Sequence, residues 1–103
     1  MTVAAENKAS ALAVAALLER WADEVPHWDP SAGERWDAFA DRRYLAEKAL
    51  KERLRRLPTC VLRTDDCCTE VDFTLAGVRV RSRVCLEDGC RAWAAKMRRQ
   101  AAQ

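Results

Sequence analysis

The sequence predicts an α+β fold, with elements in the order α-α-β-β-β-α and helices packed on one face of a small three-stranded antiparallel sheet. Three observations carry that expectation. Through the first half of the chain, apolar residues recur at helical spacing. Beyond Pro58 the spacing shortens to two, the period of strands. Past Asp88 it lengthens again into one amphipathic turn after another. A single domain over 1–103 follows, helical over 2–57, sheet over 59–86, with a C-terminal helix over 88–101.

The first helix is expected from Thr2 to Val25. Val14, Leu17, Leu18, Trp21 and Val25 fall on one stripe, and the many alanines favour helix and allow a neighbour to come close. Pro26 stops it, and the residues from Pro26 to Gly33 make a loop with two prolines and a glycine. A second helix is expected to start near Asp29 to Ser31. Asp29 would cap it with Pro30 at the first helical position, or Ser31 and Glu34 would form a capping box. Its buried stripe reads Trp36, Phe39, Ala46, Leu50, Leu54 and Leu57, interrupted by Arg43. Glu47 and Lys51 stand four apart in the order that favours a pair. Pro58 ends the helix.

Cys60 to Thr64 reads as a short strand. Thr69 to Leu75 and Val78 to Leu86 read as a hairpin about Ala76–Gly77. A two-residue turn there pairs Leu75 with Val78, Phe73 with Val80 and Val71 with Ser82 on an apolar face. On the other face it pairs Thr74 with Arg79, Asp72 with Arg81, Glu70 with Arg83 and Cys68 with Cys85. A slip of one residue would spoil both faces at once, so the two faces support one register together. The arginine stripe of Arg79, Arg81 and Arg83 is thus read as the wet face of a strand, with acids opposite Arg81 and Arg83 and none opposite Arg79. Asp88 is expected to cap the last helix, whose apolar side is Cys90, Trp93, Ala94 and Met97.

Composition bounds the function. Half the residues are apolar and a third are charged, the balance of a soluble globular domain. No run of about 18 apolar residues offers a membrane span. The alanine-rich start is interrupted by Glu6 and Lys8 and lacks a basic leader, so no secretory signal is expected and the location is cytoplasmic. Residues 1–41 carry a net charge of −5 and residues 42–103 carry +7. The favoured meaning is that the two halves pack on each other; the rival meaning is a nucleic-acid face.

Five cysteines, Cys60, Cys67, Cys68, Cys85 and Cys90, are many for 103 residues. Their odd number and the absence of an export signal speak against a disulfide framework. Cys60, Cys68, Cys85 and Cys90 are the zinc candidates, but only Cys85 and Cys90 have admissible spacing. Free thiols packed as small apolar groups are the expectation, with no metal and no cofactor. Cys90, beside Arg91 in the first turn of a helix, has the position of an activated thiol, yet it also begins an apolar stripe. His27 is the sole histidine, with no thiol or orienting group placed beside it, and the three glycines are isolated. No catalysis is expected, and no tight helix-turn-helix is present.

The reading is therefore a non-enzymatic interaction protein, a stoichiometric inhibitor or adaptor acting on a protein or ribonucleoprotein partner. Phage-encoded inhibitors of host defence are one example of such small chains. The candidate contact residues are Arg55, Arg56, Arg79, Arg98 and Arg99 on a basic edge, with Trp28 on the proline-stiffened loop as an aromatic anchor. The alternative is a nucleic-acid-binding accessory or transcriptional regulator using the basic residues of the second and last helices, binding nucleic acid weakly and without sequence preference. A zinc or thiol redox module comes third. Monomer and homodimer are both compatible with the chain.

Overall fold

A computed structural model describes residues 2–65 and 70–102. Helix α1 runs Thr2–Asp23, a short 3-10 turn covers Pro30–Ala32, and helix α2 runs Trp36–Arg55. Strands β1 (Val61–Thr64), β2 (Val71–Leu75) and β3 (Val78–Ser82) follow, and helix α3 (Leu86–Ala101) closes the chain. The sheet is antiparallel in the order β1-β2-β3. The expected α+β order and the helices on one face of a three-stranded sheet are both present.

The hairpin has the expected register. Leu75 pairs with Val78, Thr74 with Arg79, Phe73 with Val80, Asp72 with Arg81 and Val71 with Ser82. Ala76 and Gly77 both adopt positive φ, 53° and 77°, as a turn matched to the twist of its strands requires. The inner face buries Val71, Phe73, Leu75, Val78 and Val80. The ladder stops at Val71–Ser82, so Glu70 and Arg83 do not form the expected pair in it. The reason is local. The Ser82 hydroxyl donates to Asp88 and accepts the Val84 amide, which bends the chain out of the sheet toward α3. Meanwhile Glu70 pairs through its backbone with Asp65. Cys68, the expected partner of Cys85, lies outside the described residues, as does Cys67.

Helix α3 begins earlier than expected. Cys85 occupies the cap position in extended backbone, and Asp88 sits in the first turn, where its charge suits the helix dipole. This earlier start places Gly89 against the sheet: a Cβ there would stand 3.3 Å from Val71 Cγ1. The glycine thus permits the close approach of α3 to β2. Leu86, Cys90, Trp93 and Ala94 are fully buried between the sheet and α1. The Trp93 indole donates to the Leu75 carbonyl at 3.1 Å, satisfying its one polar atom inside the core.

Helix α1 lies along α3, its buried line passing through Ala15, Leu18 and Ala22, with Val25 buried just past the helix end. Val14, Leu17 and Trp21 are only half-buried, so the seam is turned from the larger residues onto the alanines. Small side chains there let the two helices approach closely.

Helix α2 differs most from expectation. Asp29 does cap a turn, accepting the Ser31 amide at 3.0 Å, with Pro30 at its first position. That turn ends after one round, because Gly33 adopts left-handed backbone with φ 74°. α2 starts afresh at Trp36. Trp36 consequently lies past the end of the buried stripe and is 62% exposed, not part of the core. Phe39, Leu50 and Leu54 are buried as expected. Glu47 pairs backward with Arg43 at 2.9 Å, where a forward pair with Lys51 was expected.

Candidate partner-binding surface

The charge asymmetry is partly spent inside the molecule. Asp23 near the end of α1 accepts from Arg91 of α3 at 2.9 Å, Glu19 pairs with Arg98, and Glu24 accepts from Arg53 of α2 at 2.7 Å. Arg53 also lies over the Trp21 ring, 5.6 Å from its centroid. The acidic end of α1 therefore packs against basic residues of α2 and α3, as the favoured reading of the charge pattern expects. It also engages Arg98, one of the candidate contact residues, on the α1 side of α3.

The outer face of the sheet carries a different arrangement. Arg63 on β1 and Arg81 on β3 stand directly opposite Asp72 on β2. Arg79, one row along, reaches diagonally to the same carboxylate, with Nε at 2.9 Å and Nη2 at 2.6 Å. Arg81 approaches it at 3.5 Å. Arg79, expected to have no acid directly opposite, thus takes the principal share of Asp72. Bidentate donation from Arg79 holds the Asp72 carboxyl at about 2, well below its usual range, with the Arg81 charge adding to the effect. Asp72 thus holds Arg79 and Arg81, with Arg63 across from it on β1, and Asp65 and Glu70 lie beside Arg63, Arg81 and Arg83 farther along the same face.

That face continues around β3 into a groove against α3. Arg79, Val80, Arg81, Ala92, Lys96 and Arg99 line it. Val80 and Ala92 are its apolar lining residues and the other four are basic. Lys96 Nζ donates to the Arg79 carbonyl at 2.9 Å, tying helix to strand. Arg79 and Arg99, placed together on the candidate edge by sequence, do share this groove. Arg55 and Arg56 project, exposed, from the end of α2 and are not among its lining residues. Arg63 and Arg81 join the surface without having been singled out as contacts, and Lys96 enters it from the last helix, whose basic residues the nucleic-acid alternative used. For Arg81 and Lys96 the signal was available in the strand alternation and in the four-residue spacing from Ala92 to Lys96.

Trp28 is 40% exposed and stacks edge-on against Trp36 and Phe39, with ring centroids 5.1 and 5.2 Å away. It is one member of an aromatic cluster at the start of α2. His27 beside it is exposed.

The thiols among the described residues are quiet. Cys60, Cys85 and Cys90 are free. Burial pushes the Cys90 thiol up to about 12, reinforced by the nearby Glu87 charge, and outweighs Arg91. Burial raises Cys60 and Cys85 as well. Cys90 is therefore a packing residue whose helix position does not activate it. Among the described residues, no group of three or more metal-ligating side chains gathers, and no helix is long and apolar enough to cross a membrane.

Comparison with known proteins returns no match to a family model, a curated protein or a solved structure.

Proposed function

We propose that this chain is a non-enzymatic interaction protein of the cytoplasm, an inhibitor or adaptor that binds an acidic surface of a macromolecular partner. The observation that supports it best is the convergence of Arg79, Arg81, Lys96 and Arg99 about one groove. Asp72 fixes the guanidinium of Arg79, and a guanidinium held in place loses less freedom when it takes a further carboxylate. The same Asp72 favours a protein partner over nucleic acid. It stays ionised at any physiological pH and stands in the middle of the arginines, where a phosphate chain would have to pass.

The test is capture of a partner from nuclease-treated lysate of a plausible host, comparing the natural chain with the double reversal Arg81→Glu, Arg99→Glu. Capture that survives nuclease and is lost on reversal is expected, with Arg55→Glu binding normally. Retention by the double reversal refutes the groove. Loss of capture on nuclease treatment, with duplex DNA bound tightly at both about 50 and 200 mM salt, would install the nucleic-acid regulator in its place.

A further inference from the structure

We infer that β3 receives an added strand: an extended partner segment in which acidic residues alternate with small apolar ones. This rests on the partner-binding role proposed for the groove and specifies how that binding is made.

β3 is an edge of the sheet. The two-residue turn closes on Leu75 and Val78. In such a hairpin the closing pair exchanges both backbone hydrogen bonds, and the pattern alternates from there. Val78, Val80 and Ser82 thus turn their amides and carbonyls toward β2. Arg79 and Arg81 turn theirs outward. The Lys96 contact agrees with this, since the Arg79 carbonyl that it meets faces α3 and not β2. With the Arg79 carbonyl taken by Lys96, the outward Arg79 and Arg81 amides and the Arg81 carbonyl form the template for another strand.

The surroundings select the occupant. A strand laid beside β3 sends alternate side chains to opposite faces. One set lies on the outer face, next to Arg79 and Arg81, which are 55% and 71% exposed along their side chains. That set must be acidic. The other set turns toward α3, over Val80 and Ala92, with Lys96 and Arg99 beside them. That set must be small and apolar to fit between strand and helix. A second copy of this chain is a poor occupant, because β3 against β3 would bring its arginines onto the same face as their counterparts. A nucleic acid would meet the arginines but leave the outward amides and the apolar lining residues unused.

The probes are two short peptides of identical composition, one alternating valine with glutamate and the other carrying them in two blocks, together with single-stranded oligothymidylate. Binding is measured by titration, and amide hydrogen exchange is followed at Arg79 and Arg81 in the natural chain. The alternating peptide should bind about tenfold more tightly than the block peptide, and Arg81→Glu should remove about that factor. It should also slow exchange at both arginine amides. Equal binding of the two peptides with no slowing refutes strand addition while leaving a basic docking surface intact. So does failure of both peptides when the double reversal still abolishes partner capture. Oligothymidylate that binds more tightly than either peptide, without slowing the amides, overturns both the added strand and the protein-binding reading.

Discussion

Arg43 of α2 and Glu87 of α3, 44 residues apart, meet in a salt bridge whose acid is only 2% exposed. Arg43 also donates to the Pro26 carbonyl at 2.8 Å and pairs with Glu47 at 2.9 Å. One guanidinium thus fastens the α1–α2 loop, α2 and the first turn of α3. Among the described residues Glu87 Oε2 is buried without a hydrogen-bond partner, and Arg43 is the cation paired with the carboxylate. Removing the cation leaves an uncompensated buried charge. Arg43→Met should therefore lower stability by about 3 kcal/mol, the low end for a broken buried pair because Arg43 is a quarter exposed. Glu87→Gln, which keeps the shape and removes the charge, should cost less. The double variant should recover part of the loss. Urea denaturation of the four proteins measures the coupling, and strict additivity would show that the bridge is incidental.

The same pair predicts an acid limb. Burial alone would raise the Glu87 carboxyl; donation from Arg43, from the Glu87 backbone and from the Cys85 thiol, with the Arg43 charge, together overcome it and leave the group below its usual value of 4.5. Asp72 is lowered to about 2 by Arg79. Both groups bind protons more readily in the unfolded chain, so stability rises with pH across this range. Their contributions are complete above the ordinary carboxylate values and fade as pH falls toward 2. Unfolding midpoints measured from pH 6 down to about 2 should decline most below about pH 4.5, and Glu87→Gln should flatten part of that decline. An unchanged slope in the variant would remove Glu87 from the account.

The parts of this fold that sequence makes legible are those decided by near neighbours. The β2–β3 register could be read because a two-residue turn and two consistent faces admit one pairing. The β1–β2 register could not, since the connection from Thr64 to Val71 is too long for a turn rule. The place of Arg63 opposite Asp72 was therefore hidden. Trp36 looked like core because it fits the apolar period. Its exposure follows from Gly33, which breaks the helix and leaves Trp36 beyond the neighbours that bury Leu50 and Leu54. Arg43 showed only as a charge interrupting an apolar stripe. Its partner on α3 depends on how two distant helices cross, which no local pattern encodes.

The hairpin turn leaves stability unused. Ala76 holds φ 53°, a left-handed conformation that its Cβ disfavours. Asparagine tolerates that region, and Asn-Gly is a preferred pair for this turn. The Ala76 amide, which donates to Thr59 Oγ1 at 3.3 Å, is kept in the variant. Ala76→Asn should raise stability by about 0.5–1 kcal/mol, and Ala76→Val should lower it, since β-branching worsens the same clash. Thermal melts of the two variants should move in opposite directions.

Cys90 should resist modification while the protein is folded. It has no exposed surface, and its thiol is pushed up to about 12, so almost no thiolate is present near neutral pH. With iodoacetamide at about pH 8, Cys90 should be alkylated only in step with unfolding, after Cys60 and Cys85, which are half-buried. Site-by-site mass spectrometry over time gives the order. Early alkylation of Cys90 would restore the activated-thiol reading.

The aromatic cluster at the start of α2 offers the sharpest contrast with the groove. Trp28 touches Trp36 and Phe39, and those two lie 5.6 Å apart, so the three rings brace one another. Phe39 is buried beneath, while Trp28 and Trp36 remain partly open to solvent. Removing Trp28 deletes two ring contacts of about 0.5–1.5 kcal/mol each. Trp28→Ala should therefore destabilise the protein by roughly 1–2 kcal/mol, leaving a folded chain with an α2 start less protected from hydrogen exchange. If the cluster is a brace, partner capture by this variant should match the natural chain once the folded fractions are equal. The charge reversals at Arg81 and Arg99 should do the opposite, leaving the fold and abolishing capture. A folded Trp28→Ala protein that captures nothing would move the interface to the aromatic cluster, because large exposed rings are where binding energy concentrates when a partner covers them.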